Sequence, residues 1–295
     1  MKKRTIIALI VAAALIVTGG MILVLGLSFA GDGTQKSELN RQEITIQERF
    51  DTIAIDTEDC NVKFAMFSGR DDCMVEIRSY QNVKHTAVVE DGTLKIKMID
   101  SRNWTDHISI GRTESMEMTV YLPAAEYESL QARTATGDIT LTQEPFFREV
   151  LLRTSTGDIS CVGVSGDVLD CMTSTGDISV QNSAPNILQL QSNTGDFEVS
   201  VVAGNEIHMK TNTGEVDAEN VNVQMFTCQT DTGDVELEKV MAEDYLQVFT
   251  NTGDVDAGNC DAGEVNVETG SGDVFVPEGW KLQRIETDTG DIKYK

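Results

Sequence analysis

One short motif, Thr-x-Thr-Gly-Asp followed by an apolar residue, recurs nine times between residues 134 and 291 with few changes. Successive motif glycines are 18 to 20 residues apart. A period this regular is typical of repeat proteins, in which each repeat packs only on its neighbours. The motif therefore constrains the fold much more than the function. The nine glycines are Gly137, Gly157, Gly176, Gly195, Gly214, Gly233, Gly253, Gly272 and Gly290.

The residues around each glycine alternate between apolar and polar types. With the glycine as position 0, positions −7 and −5 are apolar in nearly every repeat and position −6 is mostly polar. This period-two alternation predicts a half-buried strand. The same parity predicts that the Thr or Ser residues at positions −3 and −1 face inward or into the corner, as structural residues. Apolar residues then occupy positions +2 and +4, so the inward face changes parity after the glycine and the Gly-Asp pair is predicted to be a corner.

Each repeat therefore supplies two strands, one corner and a connection of about eight residues, such as 142–149. A single repeat cannot bury its own apolar face, so coils stacked about 4.8 Å apart are needed to build a core. The sequence predicts an all-β fold, a single-stranded parallel β-helix (β-solenoid) with about 19 residues per coil, over residues 129–295. The usual handedness of parallel crossovers favours a right-handed coil. Residues 43–128 also read as strands, either degenerate coils that cap the solenoid or a separate small β domain.

The first 42 residues differ in composition from the rest. Three basic residues in 1–4 precede an uncharged run over 5–30, long enough for a transmembrane helix. The basic flank predicts a single-pass cell-membrane protein with a cytoplasmic N-terminus and an extracellular C-terminal domain. Ser28-Phe29-Ala30 also resembles a signal-peptide cleavage site, so secretion after cleavage near Ala30 is the alternative. Residues 31–42 are predicted to be a linker.

The chain is strongly acidic, with a formal net charge of −25 at pH 7. Residues 5–295 carry 20 basic and 48 acidic side chains, so the predicted exported part has a net charge of −28. A surface of this sign repels nucleic acid and anionic lipid headgroups, and no nucleic-acid partner is expected. It favours cations or basic partners, unless the charge serves only to keep the protein soluble.

Position +1, directly after the glycine, is acidic in all nine repeats. Stacking would place these carboxylates on one edge about 5 Å apart, and something must offset their repulsion. Hydrogen bonds from backbone N–H groups within the turn are one explanation. Hard cations such as Ca²⁺ shared between adjacent carboxylates, or a basic peptide along the edge, are the others. The candidate metal residues are Asp138, Asp158, Asp177, Asp196, Glu215, Asp234, Asp254, Asp273 and Asp291.

The sequence contains no recognised catalytic motif, and no cofactor is predicted besides this Ca²⁺ ladder. The three histidines, His85, His107 and His208, lack ligand spacing, and no phosphate-binding loop is present. The six cysteines are predicted to be isolated buried thiols, with a Cys60–Cys73 disulfide as the alternative.

Together with the preceding segment Val120-Tyr121-Leu122-Pro123, the repeats resemble a bacterial family known as "putative adhesin", whose function is not defined. In that family a β region and a hydrophobic-Pro boundary precede Thr-x-Ser/Thr-Gly-Asp-Ile/Val solenoid repeats. The resemblance spans about residues 44–293. It implies a surface-exposed β-solenoid, in some members associated with cell-envelope stress responses, and it supplies no active-site residues.

These observations predict a membrane-anchored, non-catalytic β-solenoid that acts in binding, adhesion or envelope scaffolding. Its expected partners are the membrane, through the N-terminal helix, and envelope proteins, wall polymers or cationic peptides. A sensor of cations or cationic peptides in an envelope stress response is the alternative. A carbohydrate-active β-helix enzyme is a minor alternative.

Overall fold

The chain forms β-strands that run across the axis of a continuous stack of coils. A computed structural model describes residues 39–67, 69–101, 115–142, 146–280 and 283–295. One 3-10 turn lies within these ranges, at Glu278–Trp280. The strands are β1 (Asn40–Ile46), β2 (Thr52–Asp56), β3 (Cys60–Met66), β4 (Cys73–Ser79), β5 (Val83–Glu90), β6 (Thr93–Asp100), β7 (Met116–Leu122), β8 (Glu126–Arg133), β9 (Ile139–Thr142), β10 (Phe146–Arg153), β11 (Ile159–Val162), β12 (Ser165–Met172), β13 (Ile178–Gln191), β14 (Phe197–Ala203), β15 (Glu206–Thr213), β16 (Val216–Thr232), β17 (Val235–Thr252), β18 (Val255–Asp256), β19 (Asp261–Ser271), β20 (Val274–Val276), β21 (Arg284–Thr289) and β22 (Ile292–Tyr294).

The predicted basic flank 1–4, the predicted transmembrane segment 5–30 and most of the predicted linker lie outside the described residues. Within the described ranges, no helix has the length and apolar character needed to span a bilayer. β1 begins at Asn40, within the predicted linker 31–42, and pairs antiparallel with β4.

Parallel pairing between equivalent strands builds the solenoid from β8 to β22. A strand that precedes a motif glycine pairs with the equivalent strand one coil on, as Val150 does with Leu169. A strand that follows a glycine does the same, as Ile159 does with Ile178. Positions −7, −5, +2 and +4 are buried in the first eight coils. The predicted all-β solenoid with a period near 19 residues is confirmed.

The prediction that both Thr columns face inward is wrong for position −1. Position −3 is buried in the first eight coils, whereas the Thr or Ser at position −1 is exposed in all nine. In eight coils the hydroxyl at −3 donates a hydrogen bond to the carbonyl oxygen of the glycine one coil back, as Thr173 does to Gly157 at 3.1 Å. Because this bond holds position −3 inside the corner, the chain turns outward directly after it. The parity changes before the glycine instead of after it.

The motif glycine is needed because consecutive coils touch at this corner through their backbones. A Cβ atom added at any of the nine glycines would lie 1.9–2.4 Å from a backbone oxygen of the coil before it. Close-packed interiors leave no room for such an approach. Eight of the nine also have φ between +144° and +159°, which residues with side chains rarely adopt. The N–H of each of the first eight glycines then donates to the carbonyl at position −1 of the next coil, as Gly176 does to Thr194 at 2.9 Å.

The predicted connection is itself extended in the middle coils. β16 runs for 17 residues and β17 for 18, because the residues beyond position +6 pair with the neighbouring coils as a short third side. Buried Val202, Val221 and Val240 line that side. The bend before it is made by a residue with φ between +50° and +56°, which is Asn182, Val201, Asn220 or Lys239 in successive coils.

The strands of residues 39–101 extend the stack in an order that differs from the chain order. β2 pairs in parallel with β8, and β3 pairs in parallel with β9, so β2 and β3 form the coil before the first motif. β6 pairs in parallel with the other edge of β2, and β7 pairs in parallel with the other edge of β3. β4 pairs antiparallel with β7, and β5 pairs antiparallel with β6. These antiparallel strands cover the N-terminal end of the stack.

The coil made by β2 and β3 contains a degenerate tenth copy of the motif. Residues 57–61 read Thr-Glu-Asp-Cys-Asn, and Asp59 forms a parallel bridge with Thr136 at position −1 of the first motif. Ile53, Ile55 and Val62 occupy the apolar positions −7, −5 and +2 of this copy. A search for the motif glycine misses the copy, because Cys60 occupies position 0.

Gly195→Ala is expected to destabilise the solenoid by at least about 3 kcal/mol. Its added Cβ would lie 1.9 Å from the carbonyl oxygen of Gly176, and this backbone contact cannot be relieved by a side-chain movement. Thermal unfolding followed by circular dichroism measures the loss. Gly279→Ala is the matched control, since nothing lies within 4 Å of a Cβ added there. Equal melting temperatures for the two variants would contradict the close contact at the corner.

Candidate functional site

The acidic column forms a hydrogen-bonded ladder along one edge of the solenoid. The Oδ1 atom of an aspartate accepts the backbone N–H of the acidic residue one coil on, at 2.7–3.0 Å. The ladder starts at Asn61, whose Oδ1 accepts the N–H of Asp138 at 2.9 Å. The structure therefore brings to one edge all nine predicted residues: Asp138, Asp158, Asp177, Asp196, Glu215, Asp234, Asp254, Asp273 and Asp291.

These bonds explain how a column of like charges is tolerated without an ion. Two unit charges about 5 Å apart in water repel by roughly 1 kcal/mol, and a hydrogen bond to a charged group contributes about as much or more. The bonds join successive coils and do not lie within one turn as expected. In the described part of the chain, the second carboxylate oxygen of these aspartates has a protein partner only at Asp273, which binds Lys293. The bond from Lys293, followed by the Asp291 N–H, lowers the pKa of Asp273.

Glu215 interrupts the ladder. Its backbone N–H donates to Asp196 Oδ1 at 2.8 Å, but among the described residues no hydrogen bond joins its side chain to the Asp234 N–H. Its carboxylate lies near Asp217 and Glu236, with one oxygen of each of the three within 4.8 Å of the others. The charge of Asp217, followed by burial, raises the pKa of Glu215. This part of the edge concentrates negative charge, and no backbone N–H of the described residues donates to the three carboxylates.

The exposed hydroxyl at position −1 lies two residues before each acid. Every coil thus presents one hydroxyl and one carboxylate at the corner, and nine coils repeat them at a spacing of about 4.8 Å. We name this edge the corner ridge. The sequence predicted that these hydroxyls are turned away from the surface, whereas the structure exposes them.

A second surface, which sequence reasoning missed, is the outward side of the sheet that precedes the corner. It consists of positions −6 and −4 of the coils together with their register partners in β2 and β6. We name it the outer face. Grooves of about 530 Å³ and about 640 Å³ lie on it. One row of side chains runs from Lys95 to Arg284, and the other runs from Lys97 through Phe249 to the acidic pair Glu268 and Glu286. Period-two alternation marks these positions as outward, but their chemistry emerges only when the coils are stacked.

The buried ionisable groups are poorly suited to nucleophilic chemistry. All six cysteines are free and buried, so the alternative Cys60–Cys73 disulfide is not formed. Burial raises the pKa of both thiols to about 12, and thiols that stay protonated at neutral pH are weak nucleophiles. Burial also lowers the pKa of His85 to about 4, and neither of its ring nitrogens has a hydrogen-bond partner among the described residues. His107 lies outside the described residues.

His208 lies on the outer face between a hydroxyl and a carboxylate. Its Nδ1 is 2.7 Å from the Thr227 Oγ1, and its Nε2 is 3.1 Å from a carboxylate oxygen of Glu206. The Thr227 hydroxyl, however, donates to the carbonyl oxygen of Ile207 at 3.2 Å. Because the hydroxyl proton is directed to the backbone, the imidazole has no proton to abstract there. These contacts hold the imidazole ring in place on the outer face.

Glu215→Asp is expected to raise the free energy of unfolding by about 1 kcal/mol. The shorter side chain places its Oδ1 where the other aspartates accept the N–H of the next coil, so the Asp234 N–H gains a partner. Denaturant unfolding at pH 7 measures the change. Glu243→Asp, an exposed change outside the column, is the control. A less stable Glu215→Asp variant would contradict the ladder as the stabilising element of this edge.

No functionally curated protein matches the chain. Two similar solved structures come from Parabacteroides distasonis: a "putative adhesin" with 14% identity and a "putative lipid binding protein" with 15%, both with a TM-score of 0.49. A "putative adhesin" from Parabacteroides merdae has 13% identity and a TM-score of 0.47. Each alignment covers 88% of this chain and 98% of the other. The family model described as Toastrack DUF4097 matches residues 50–293. This match spans most of the chain and confirms the family resemblance, so the chain belongs to the Toastrack DUF4097 family.

Proposed function

We propose that this protein is a non-catalytic binding module of the cell envelope that acts in adhesion or scaffolding. This proposal is supported chiefly by the continuous stack of coils, whose outer face presents two rows of side chains and two grooves. A backbone-locked stack holds these rows in a constant register, which suits recognition of an extended partner. Envelope proteins and wall polymers are the proposed partners.

The proposed location is the cell membrane, with the uncharged segment 5–30 as a single-pass anchor. The basic residues of 1–4 favour a cytoplasmic N-terminus, which would place the solenoid outside the cell. Secretion after cleavage near Ala30 is the alternative location. Both place the solenoid where it can contact envelope material.

A pull-down with envelope material tests the proposed function. The full chain, purified in detergent and immobilised, is expected to retain wall polymer or envelope proteins from a solubilised envelope fraction. A chimera of residues 1–38 fused to an unrelated soluble domain is the control for binding through the N-terminal segment. Equal retention by the chimera, or no retention by the full chain, would refute a binding role of the solenoid.

Cation or cationic-peptide sensing is the second candidate function, and the convergence of Glu215, Asp217 and Glu236 favours it. Carboxylate oxygens are the ligands that Ca²⁺ prefers, and a bound cation would relieve the repulsion among the three. Millimolar Ca²⁺, or a cationic peptide, is then expected to raise the melting temperature of the protein. The variant Glu215→Gln with Glu236→Gln should respond less. An unchanged melting temperature of the wild type with both additives would exclude this function.

A further inference from the structure

Basic side chains cluster on the outer face although the chain as a whole carries a net charge of −25. Eleven of the sixteen Lys and Arg residues in the described ranges have a carboxylate within 4.0 Å. Of the five without one, Lys97, Arg133 and Lys210 lie in a single row of the outer face. Three of the five basic residues without a carboxylate partner in the described ranges therefore lie on one surface.

The register of the strands places like charges side by side in this row. Arg133 and Arg153 are direct partners in adjacent coils, and like charges directly opposite each other are destabilising. Arg153 is compensated by an ion pair with Asp170 in the next coil. Arg133 and Lys97 flank Asp56 in the register, yet neither lies within 4.0 Å of a carboxylate in the described part of the chain. The groove there is lined by four basic residues, Lys95, Lys97, Arg133 and Arg153, against the two acids Asp56 and Glu90. An external anion would therefore meet an excess of positive charge.

The groove of about 640 Å³ on the outer face is lined mainly by uncharged side chains, together with Asp170 and Lys210. Gln189, Gln191, Gln229 and Gln247 line the groove of about 640 Å³, and Phe249 lies at one end of it. An amide offers both a donor and an acceptor, and an aromatic ring offers an apolar surface. This combination suits hydroxyl-bearing rings. The two rows are about 7 Å apart, the rise of two strand residues, so one extended chain that lies along the axis can contact both.

We propose that the outer face binds a linear anionic polysaccharide that lies along the solenoid axis. The anionic groups would contact Lys97, Arg133 and Lys210, and the hydroxyl groups would bond to the glutamine amides. The proposal rests on the binding role proposed above and names its ligand class. A flat anionic bilayer fits less well, because the acidic corner ridge borders the same coils and would be repelled. A nucleic acid would bring a higher charge density toward the same acidic edge.

Binding of polygalacturonate oligomers by the full chain in detergent, followed by isothermal titration calorimetry, tests the proposal. The variant Lys97→Gln with Arg133→Gln is expected to bind at least tenfold more weakly. The variant Lys63→Gln with Lys239→Gln loses the same charge from exposed positions off the outer face, and should bind within twofold of the wild type. Binding of polygalacturonate should also weaken as salt is raised, whereas dextran, a neutral glucan, should bind far more weakly. Circular dichroism confirms that both variants are folded.

Three outcomes would overturn the proposal: no binding of polygalacturonate, equal weakening in both variants, or tighter binding of single-stranded DNA or of vesicles that contain phosphatidylglycerol. The envelope pull-down separates this failure from failure of the binding role itself. If Lys97→Gln with Arg133→Gln retains envelope material as well as the wild type does, the binding role stands and the outer face is not its site. If the wild type retains none, the binding role fails.

Discussion

The structure depends on the backbone contact between successive coils at the motif glycine. The glycine carbonyl accepts the buried hydroxyl of the next coil, and the glycine N–H donates to the carbonyl at position −1 of that coil. No side chain fits between the two backbones, so each coil is held in one register on its neighbour. The alignment of every other column follows from that register, because a slip of one residue would turn all inward side chains outward.

The same register determines the electrostatics of the molecule. The corner ridge collects the acidic residues, and the ladder of N–H···O bonds stabilises them one coil at a time. The outer face, on the same coils, carries basic and amide side chains together with a few acidic ones. Stacking thereby gives two long surfaces of different charge to a chain whose net charge is −25. A partner of either sign therefore meets a surface whose charge differs from the average of the chain.

Sequence reasoning succeeded where one residue type has one physical role. The apolar columns predicted the core, because alternation alone decides which side of a strand is buried. It failed at the corner, where the bond from the −3 hydroxyl to a glycine carbonyl of another coil moves the change of parity. It also missed the motif copy at residues 57–61, since Cys60 stands where the backbone contact would otherwise require glycine.

The sequence by itself determined the β-solenoid, its period, its core columns and the alignment of the acidic residues. Each of these repeats along the chain, and repetition is visible without coordinates. Only the tertiary structure decided which contacts form between coils or between segments that are distant in the sequence. The insertion of β2 and β3 between β6–β7 and β8–β9 brings Lys97 and Arg133 onto one face. The interruption of the ladder at Glu215 likewise depends on where the longer side chain places its carboxylate relative to the next coil. The sequence pattern does not contain that distance.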